Sequence, residues 1–129
     1  MNKKIFGIVG NPVDHSLSPI LHKYWFKKYK INATYELFKI DEKNLKNIAD
    51  KVRNKEIAGV NVTLPFKQKI IPFLDNLIND AKSTNSVNTI LLDDSGALVG
   101  ENSDVFGLQA AYLKEIPDAQ NKKALVIGS

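Results

Sequence analysis

The chain has 129 residues, 43% of them hydrophobic and 25% charged, with a formal net charge of +4. That is ordinary globular composition, long enough to bury about two thirds of its unfolded surface around one core, and it excludes a disordered chain. There is no cysteine, which removes disulfides, thiol chemistry and Cys-based metal sites. No run of apolar residues reaches the ~18 that a membrane span needs, and the basic start is too short in apolar length for a signal peptide. A cytoplasmic protein fits these features.

Taken in order, Ile5–Val9 reads as a buried strand and Gly10-Asn11-Pro12 as a turn. Ser18-Pro19 has the form of an N-cap followed by Pro at the first helical position. The helix it opens is expected to reach about Lys30, with Ile20, Leu21, Tyr24 and Trp25 facing inward. Thr34–Ile40 reads as a strand. Asp41 is expected to cap a helix to about Asn54, with Leu45, Ile48, Ala49 and Val52 on one face.

Gly59–Thr63 reads as a third strand, with a short helix expected from Leu64-Pro65 through Ile71 and a further helical stretch over Asp75–Ala81. Ser86–Leu92 and Ala97–Gly100 form a hairpin about Asp93-Asp94-Ser95-Gly96. A long helix is expected over Asp104–Glu115, a polar connector over Pro117–Lys123 and a last buried strand over Ala124–Gly128. Strands alternating with helices predict an α/β domain: three layers, αβα, with a mostly parallel sheet and one antiparallel hairpin.

Charge is uneven. Residues 1–30 carry six Lys against Asp14 alone, whereas Lys82 is the one cation among Asp75, Asp80, Asp93, Asp94, Glu101 and Asp104. The basic end could draw nucleic acid, and Lys23–Lys30 interleaves basic with aromatic residues as single-strand binders do. Tyr24 and Trp25 fall on the expected core face, however, and a solvated helix face accounts for the charge, so no nucleic-acid partner is expected.

Four segments could carry chemistry. Ser16 and Ser18 place two hydroxyls beside a helix N-terminus, where a carboxylate or phosphate can be held; from spacing alone the simpler account is a helix cap at Ser18 and a loop residue at Ser16. His15 shows no partner in its loop, and His15 with His22 lacks a third metal ligand. In Asn61-Val62-Thr63-Leu64-Pro65-Phe66-Lys67, the lysine is expected in a first helical turn, where dipole and partial burial both disfavour its charge. Such a lysine can trade a proton with a hydroxyl; the bland alternative is a solvated surface lysine. Asn88, in Ser86-Val87-Asn88-Thr89-Ile90, reads a hydroxyl if its face lines a cleft and faces solvent otherwise. Asp104, after Gly100-Glu101-Asn102-Ser103, is either an N-cap or a carboxylate paired with Lys67.

In this order the segments resemble the substrate-binding half of shikimate dehydrogenases. The resemblance rests on Gly-Asn-Pro-x-x-His-Ser-x-Ser-Pro at 10–19, Asn-Val-Thr-x-Pro-x-Lys at 61–67, Val87-Asn88-Thr89 and Asn102-Ser103-Asp104. It implies that Ser16 and Ser18 bind the substrate carboxylate and that Thr63, Asn88 and Asp104 hold ring hydroxyls, with Asn61 supporting the cleft. Lys67 would be the catalytic acid/base and Asp104 its partner. The implied reaction is the reversible NADP-linked interconversion of 3-dehydroshikimate and shikimate, on the path to chorismate and aromatic amino acids.

Departures are small: Ser103 stands where many members have Thr, and Val105 where Gly is common, which puts the geometry of Asp104 in question. The resemblance further implies that residues 1–117 form the substrate-binding domain. Residues 118–129 would then begin a Rossmann-type NADP domain, its glycine loop opening at Gly128 and Ser129. Without the rest of that domain the isolated chain is expected to be inactive. A helix from the end of the family's chain normally packs back on the first domain, and its absence would leave an apolar patch exposed. A homodimer is left open. So are a broader quinate/shikimate dehydrogenase and a stand-alone small-acid-binding module.

Overall fold

In the computed structural model, residues 3–112, 115, 116, 121–125 and 127 are described. Strands β1 (Lys4–Gly10), β2 (Ala33–Lys39), β3 (Gly59–Val62), β4 (Asn76–Leu77), β5 (Thr89–Leu92) and β6 (Leu98–Glu101) form one six-stranded sheet in the order β2-β1-β3-β5-β6-β4. β1 pairs in parallel with β2 and β3, and β6 with β4. β5 runs antiparallel to both its neighbours, so it is the one reversed strand of the sheet. The expected hairpin is β5–β6. In its turn Gly96 takes φ +85°, and Asp93 Oδ1 accepts from Ser95 N at 2.9 Å and Ala97 N at 3.0 Å.

The strand alternation of β1 feeds two cores. Val9 joins Leu45, Ile48, Ala49 and Val52 of helix α2 (Leu45–Arg53) in the larger one, together with Val60, Val62, Phe66, Ile70, Val87, Ile90 and Leu98. Ile8 joins Val13 and Tyr35 on the other face, with Phe6 and Phe26 packed against them. Phe26 belongs to helix α1 (Ser18–Lys28), so helices flank the sheet on both sides and the expected layering holds. The buried face of α2 is the one the apolar spacing predicts.

Several elements differ from expectation. In α1, Ile20, Leu21, Tyr24 and Trp25 are 70%, 47%, 58% and 41% exposed, and the sheet-facing side chains are His22 and Phe26. The helix carries two candidate stripes, 17–20–21–24 and 22–26, and only one can meet the sheet. With Tyr24 and Trp25 outside the core, their position no longer argues against nucleic acid. Asp41 makes no capping bond; it precedes a 3₁₀ turn, Glu42–Asn44, before α2 begins.

The segment after β3 is a series of turns ending in a 3₁₀ turn at Ile71–Phe73, not a helix. Pro65 and Pro72 each remove a backbone donor from it. Asp75–Ala81 gives the two-residue edge strand β4 and the start of helix α3 (Asp80–Thr84). Asp75 N donates to Leu98 O at 2.8 Å, and that bond draws the segment to the sheet edge.

Helix α4 is Asp104–Ala111, shorter than expected, with Leu113 and Lys114 outside the described residues. Of the last expected strand, Ala124 and Leu125 have no strand structure, and Leu125 is 85% exposed; Val126, Gly128 and Ser129 lie outside the described residues. Among the described residues no helix is long and apolar enough to cross a membrane, and no group of three metal-ligating side chains forms.

Candidate active site

Ligands of open α/β sheets bind outside the carboxyl ends of the strands. Four segments converge there: the loops that leave β1, β3 and β6, and the residue that enters β5. The first two are pressed together. Thr63 N donates to Val9 O at 2.9 Å and Asn11 N to Leu64 O at 3.1 Å. A Cβ at Gly10 would stand 2.4 Å from Thr63 Cγ2, so this approach requires glycine. A cavity of about 240 Å³ lies between the loops, lined by Ile8, Pro12, Val13, His15, Ser16 and Thr63.

Ser18 is the first residue of α1, not its N-cap. Its N–H donates to Ser16 Oγ at 3.2 Å, so Ser16 supplies the side-chain oxygen at this helix start. The two hydroxyls the sequence singles out are thus neighbours at the N-terminus of an eleven-residue helix.

Lys67 lies among the turns after β3, between the buried Phe66 and Ile70. Because no helix forms there, the expected dipole effect on its charge has no source. Its carbonyl accepts Val87 N at 2.8 Å, which ties it to the entry of β5. Its Nζ is 2.6 Å from Asp104 Oδ2, with side chains 29% and 54% exposed. The second carboxylate oxygen, Oδ1, accepts from Asn88 Nδ2 at 3.0 Å. Asn88 Nδ2 also reaches Ser103 Oγ at 3.0 Å, and Asn88 Oδ1 accepts Ser103 N at 3.1 Å.

Asp104 is free to make these bonds because another residue caps its helix. Asn102, 5% exposed, accepts Asp104 N on Oδ1 at 2.8 Å. Its Nδ2 donates to Ser86 O at 2.9 Å and to Thr84 Oγ1 at 3.3 Å. Neither Ser103 nor Asp104 spends its side chain on the helix start, and the Lys67–Asp104 pair forms with Val105 in place.

From Asn88 a polar strip runs back across the sheet. Thr89 Oγ1 donates to Asn88 Oδ1 at 3.0 Å, and Asn61 Nδ2 donates to Thr89 Oγ1 at 3.1 Å. The Tyr35 hydroxyl donates to Asn61 Oδ1 at 2.6 Å. Burial pushes the Tyr35 phenol up to about 12, against the opposing pull of a hydrogen bond from the Ser18 hydroxyl. His22 stacks on the Tyr35 ring at 4.0 Å, with its Nδ1 2.9 Å from Ser18 O. A carbonyl can only accept, so Nδ1 carries the proton.

The structure therefore brings Lys67, Asn88 and Asp104 into one cluster, links Asn61 and Ser18 to it, and sets Ser16 beside Ser18. Thr63 meets Ser16 across the small cavity. Gly128 and Ser129 lie outside the described residues. Sequence reasoning misses Tyr35, Thr89 and Asn102 as parts of the site. Thr89 and Asn102 sit inside quoted motifs, which is a usable signal; Tyr35 offers none, because its partner Asn61 is 26 residues away.

A cavity of about 400 Å³ adjoins the strip, with Phe6, Phe26, Ile90 and Leu92 among its walls. The outer stripe of α1 (Leu17, Ile20, Leu21 and Tyr24) is a further exposed apolar surface.

Comparisons with known proteins identify the family. The family model for the shikimate dehydrogenase substrate binding domain matches residues 8–90. The NADP(+) shikimate dehydrogenase of Pelagibacter ubique is 46% identical over 127 residues, which is 98% of this chain and 48% of that protein. The chain thus spans about half the length of the curated relatives it matches. The Thermus thermophilus shikimate 5-dehydrogenase solved in complex with shikimate superposes with a TM-score of 0.83 at 34% identity, over 97% of this chain and 47% of that one. A shikimate dehydrogenase solved in complex with NADP+ gives 0.82 at 39% identity, over 88% of this chain and 39% of that one. The chain belongs to the shikimate dehydrogenase substrate-binding domain family.

Proposed function

We propose that this chain is the substrate-binding half of an NADP-linked shikimate dehydrogenase acting in cytoplasmic aromatic biosynthesis, and that Lys67 and Asp104 are its catalytic pair. The observation that carries the reading is the Lys67 Nζ–Asp104 Oδ2 contact of 2.6 Å, with Asn88 holding the other carboxylate oxygen. A lysine and a carboxylate side by side can hold one substrate hydroxyl from both sides. When that hydroxyl's carbon becomes a carbonyl, its proton passes to Lys67 in its neutral amine form; in the reverse direction the ammonium form returns it. Asn88 donates to Oδ1 at 3.0 Å and so holds the carboxylate in place.

Ser16 and Ser18 would bind the substrate carboxylate, favoured by the positive end of α1. Thr63, with Asn88 and Asp104, would hold ring hydroxyls, and Asn61 would support the cleft through Thr89. NADP, when bound, supplies the hydride acceptor. Among the described residues no glycine-rich turn leads from a strand directly into a helix, the arrangement that holds a pyrophosphate. We place the substrate-binding unit at residues 1–117 and the approach to the nucleotide unit at 118–129; the relatives' twofold greater length supports that division.

The test is a titration of the isotope-labelled chain with shikimate, followed by amide NMR. Saturable shifts are expected at Ser16, Ser18, Thr63, Lys67, Asn88 and Asp104. In the full-length protein carrying this sequence, Lys67→Ala is expected to lower kcat by about 10²–10⁴-fold. The partly exposed ion pair contributes little stability, so folding should be nearly unchanged. Retention of kcat within threefold would refute the assignment of Lys67.

A further inference from the structure

The hydrogen bonds that cross the sheet have a direction. Tyr35 donates to Asn61 Oδ1, Asn61 donates through Nδ2 to Thr89 Oγ1, Thr89 donates to Asn88 Oδ1, and Asn88 donates through Nδ2 to Asp104 Oδ1. Each group gives its proton toward the carboxylate. A primary amide can present its oxygen or its nitrogen to a neighbour, and its partners decide which. At Asn61 two partners act together: the Asn88 carbonyl, which can only accept, takes Nδ2 at 3.3 Å, and the Tyr35 hydroxyl gives its proton to Oδ1 at 2.6 Å. That leaves Nδ2 facing Thr89, whose hydroxyl proton must then go to Asn88.

Tyr35 is well held for such a task. It is 3% exposed, packed with Ile8 on the α1 side of the sheet and flanked by the stacked His22 ring. His22 also bonds the Ser18 carbonyl, and Ser18 acts on the phenol as a hydrogen-bonding neighbour. One residue of the outer strand β2 thereby touches both ends of the site: the serine pair at α1 and the amide chain that ends on Asp104.

We propose that Tyr35 is a positioning residue of the substrate site, its buried hydroxyl holding Asn61 together with the Asn88 carbonyl and, through Thr89, bracing Asn88 beside Asp104. Asn88 Oδ1 has a second donor in Ser103 N, so the effect is strongest at Asn61 and smaller at Asn88. The ligand used to measure it rests on the shikimate reading; the orientation itself does not.

Tyr35→Phe keeps the ring, the His22 stack and the burial, and removes only the hydroxyl. Thr89→Val keeps a β-branched strand residue and cuts the chain one step further on. In the ligand-free protein, the side-chain NH₂ signals of Asn61 and Asn88 are expected to move in both variants, a signature that loss of core packing alone would not produce. The shikimate Kd is expected to rise about five- to tenfold in each, since the hydrogen-bonded amides they orient are left partly unpaired.

Unmoved Asn88 signals in both folded variants would overturn the proposal, as would a Kd within twofold of wild type. Moved signals with no shikimate uptake by the wild-type protein would sustain the positioning role and refute the shikimate reading instead. A Tyr35→Phe chain that fails to fold leaves the decision to Thr89→Val, in which Tyr35 is untouched.

Discussion

Replacing Asn102 by alanine is expected to damage both stability and the site. The side chain is 5% exposed and makes three hydrogen bonds. Alanine leaves the Asp104 N–H without its partner and the Ser86 carbonyl with only the long contact from Thr84 Oγ1 at 3.4 Å. Thr84 loses less, because its hydroxyl also donates to Asp80 O at 2.7 Å. A buried polar group left unpaired costs about 1–3 kcal/mol, and water entering the space that alanine opens recovers part of it. The expected loss is about 2–3 kcal/mol, or roughly 8–12 °C in Tm for a domain of this size.

Urea denaturation followed by circular dichroism measures this loss directly. Asn102→Asp separates the two roles. It keeps an acceptor for Asp104 N but loses the donor to Ser86 O, and it sets a charge in a buried position next to Asp104. It should be at least as destabilised as the alanine variant. Both variants should also bind shikimate more weakly, because the start of α4 carries Asp104. If Asn102→Ala unfolds within about 0.5 kcal/mol of wild type, the capping argument is wrong.

Gly10→Ala places a Cβ 2.4 Å from Thr63 Cγ2, so the loops after β1 and β3 must part; a lower Tm and weaker shikimate binding are expected, by calorimetry on the same samples. Asp14, Asp75 and Asp93 are held below the usual carboxylate range, chiefly by hydrogen bonds from Lys39, Arg53 and Ser95 respectively. Their contribution is present above the unfolded value of about 4 and is lost as pH falls through the lower folded values. The urea midpoint should therefore drop below about pH 4, and less steeply in Asp75→Asn; identical slopes would refute the assignment. Tyr35 behaves in the opposite sense. Its phenol is raised to about 12, so its contribution is intact below about pH 10 and lost as pH climbs toward 12. Of four tyrosines, one should ionise late in an absorbance titration, and that step should be missing in Tyr35→Phe.

The elements legible in the sequence are those whose pattern has one solution. β1 and β3 are short apolar runs, the β5–β6 turn is spelled out by Asp93–Gly96, and α2 has a single apolar stripe. α1 has two, and the choice between them depends on which part of the sheet it meets. The turns after β3 look helical in sequence because Pro65 can open a helix, and one helical bond does form, from Ile70 N to Phe66 O at 3.0 Å, but Pro72 lacks the N–H that would continue it. At the site, Lys67, Asn88 and Asp104 are legible through their motifs. Asn61, Thr89 and Asn102 sit in the same motifs, but Tyr35 lies outside them, and its partner Asn61 is 26 residues away, a distance at which spacing says nothing.

The reversal of β5 explains why the site can exist where it does. The residue that leaves a parallel strand reaches the carboxyl end of the sheet, while the residue that enters one starts from the opposite end. Asn88 enters β5. Only because β5 runs against β3 and β6 does Asn88 arrive at the carboxyl ends, with its N–H on Glu101 O at 2.9 Å and its carbonyl accepting Val62 N at 2.8 Å. Those two backbone bonds lock Asn88 between the strand that precedes Lys67 and the strand that precedes Asp104. Were β5 parallel, its entry residue would lie a strand length away, about 13 Å for four residues, and the lysine–carboxylate pair would lose the amide that aims it. The topology and the lysine–carboxylate–amide cluster are, in this chain, consequences of the same strand.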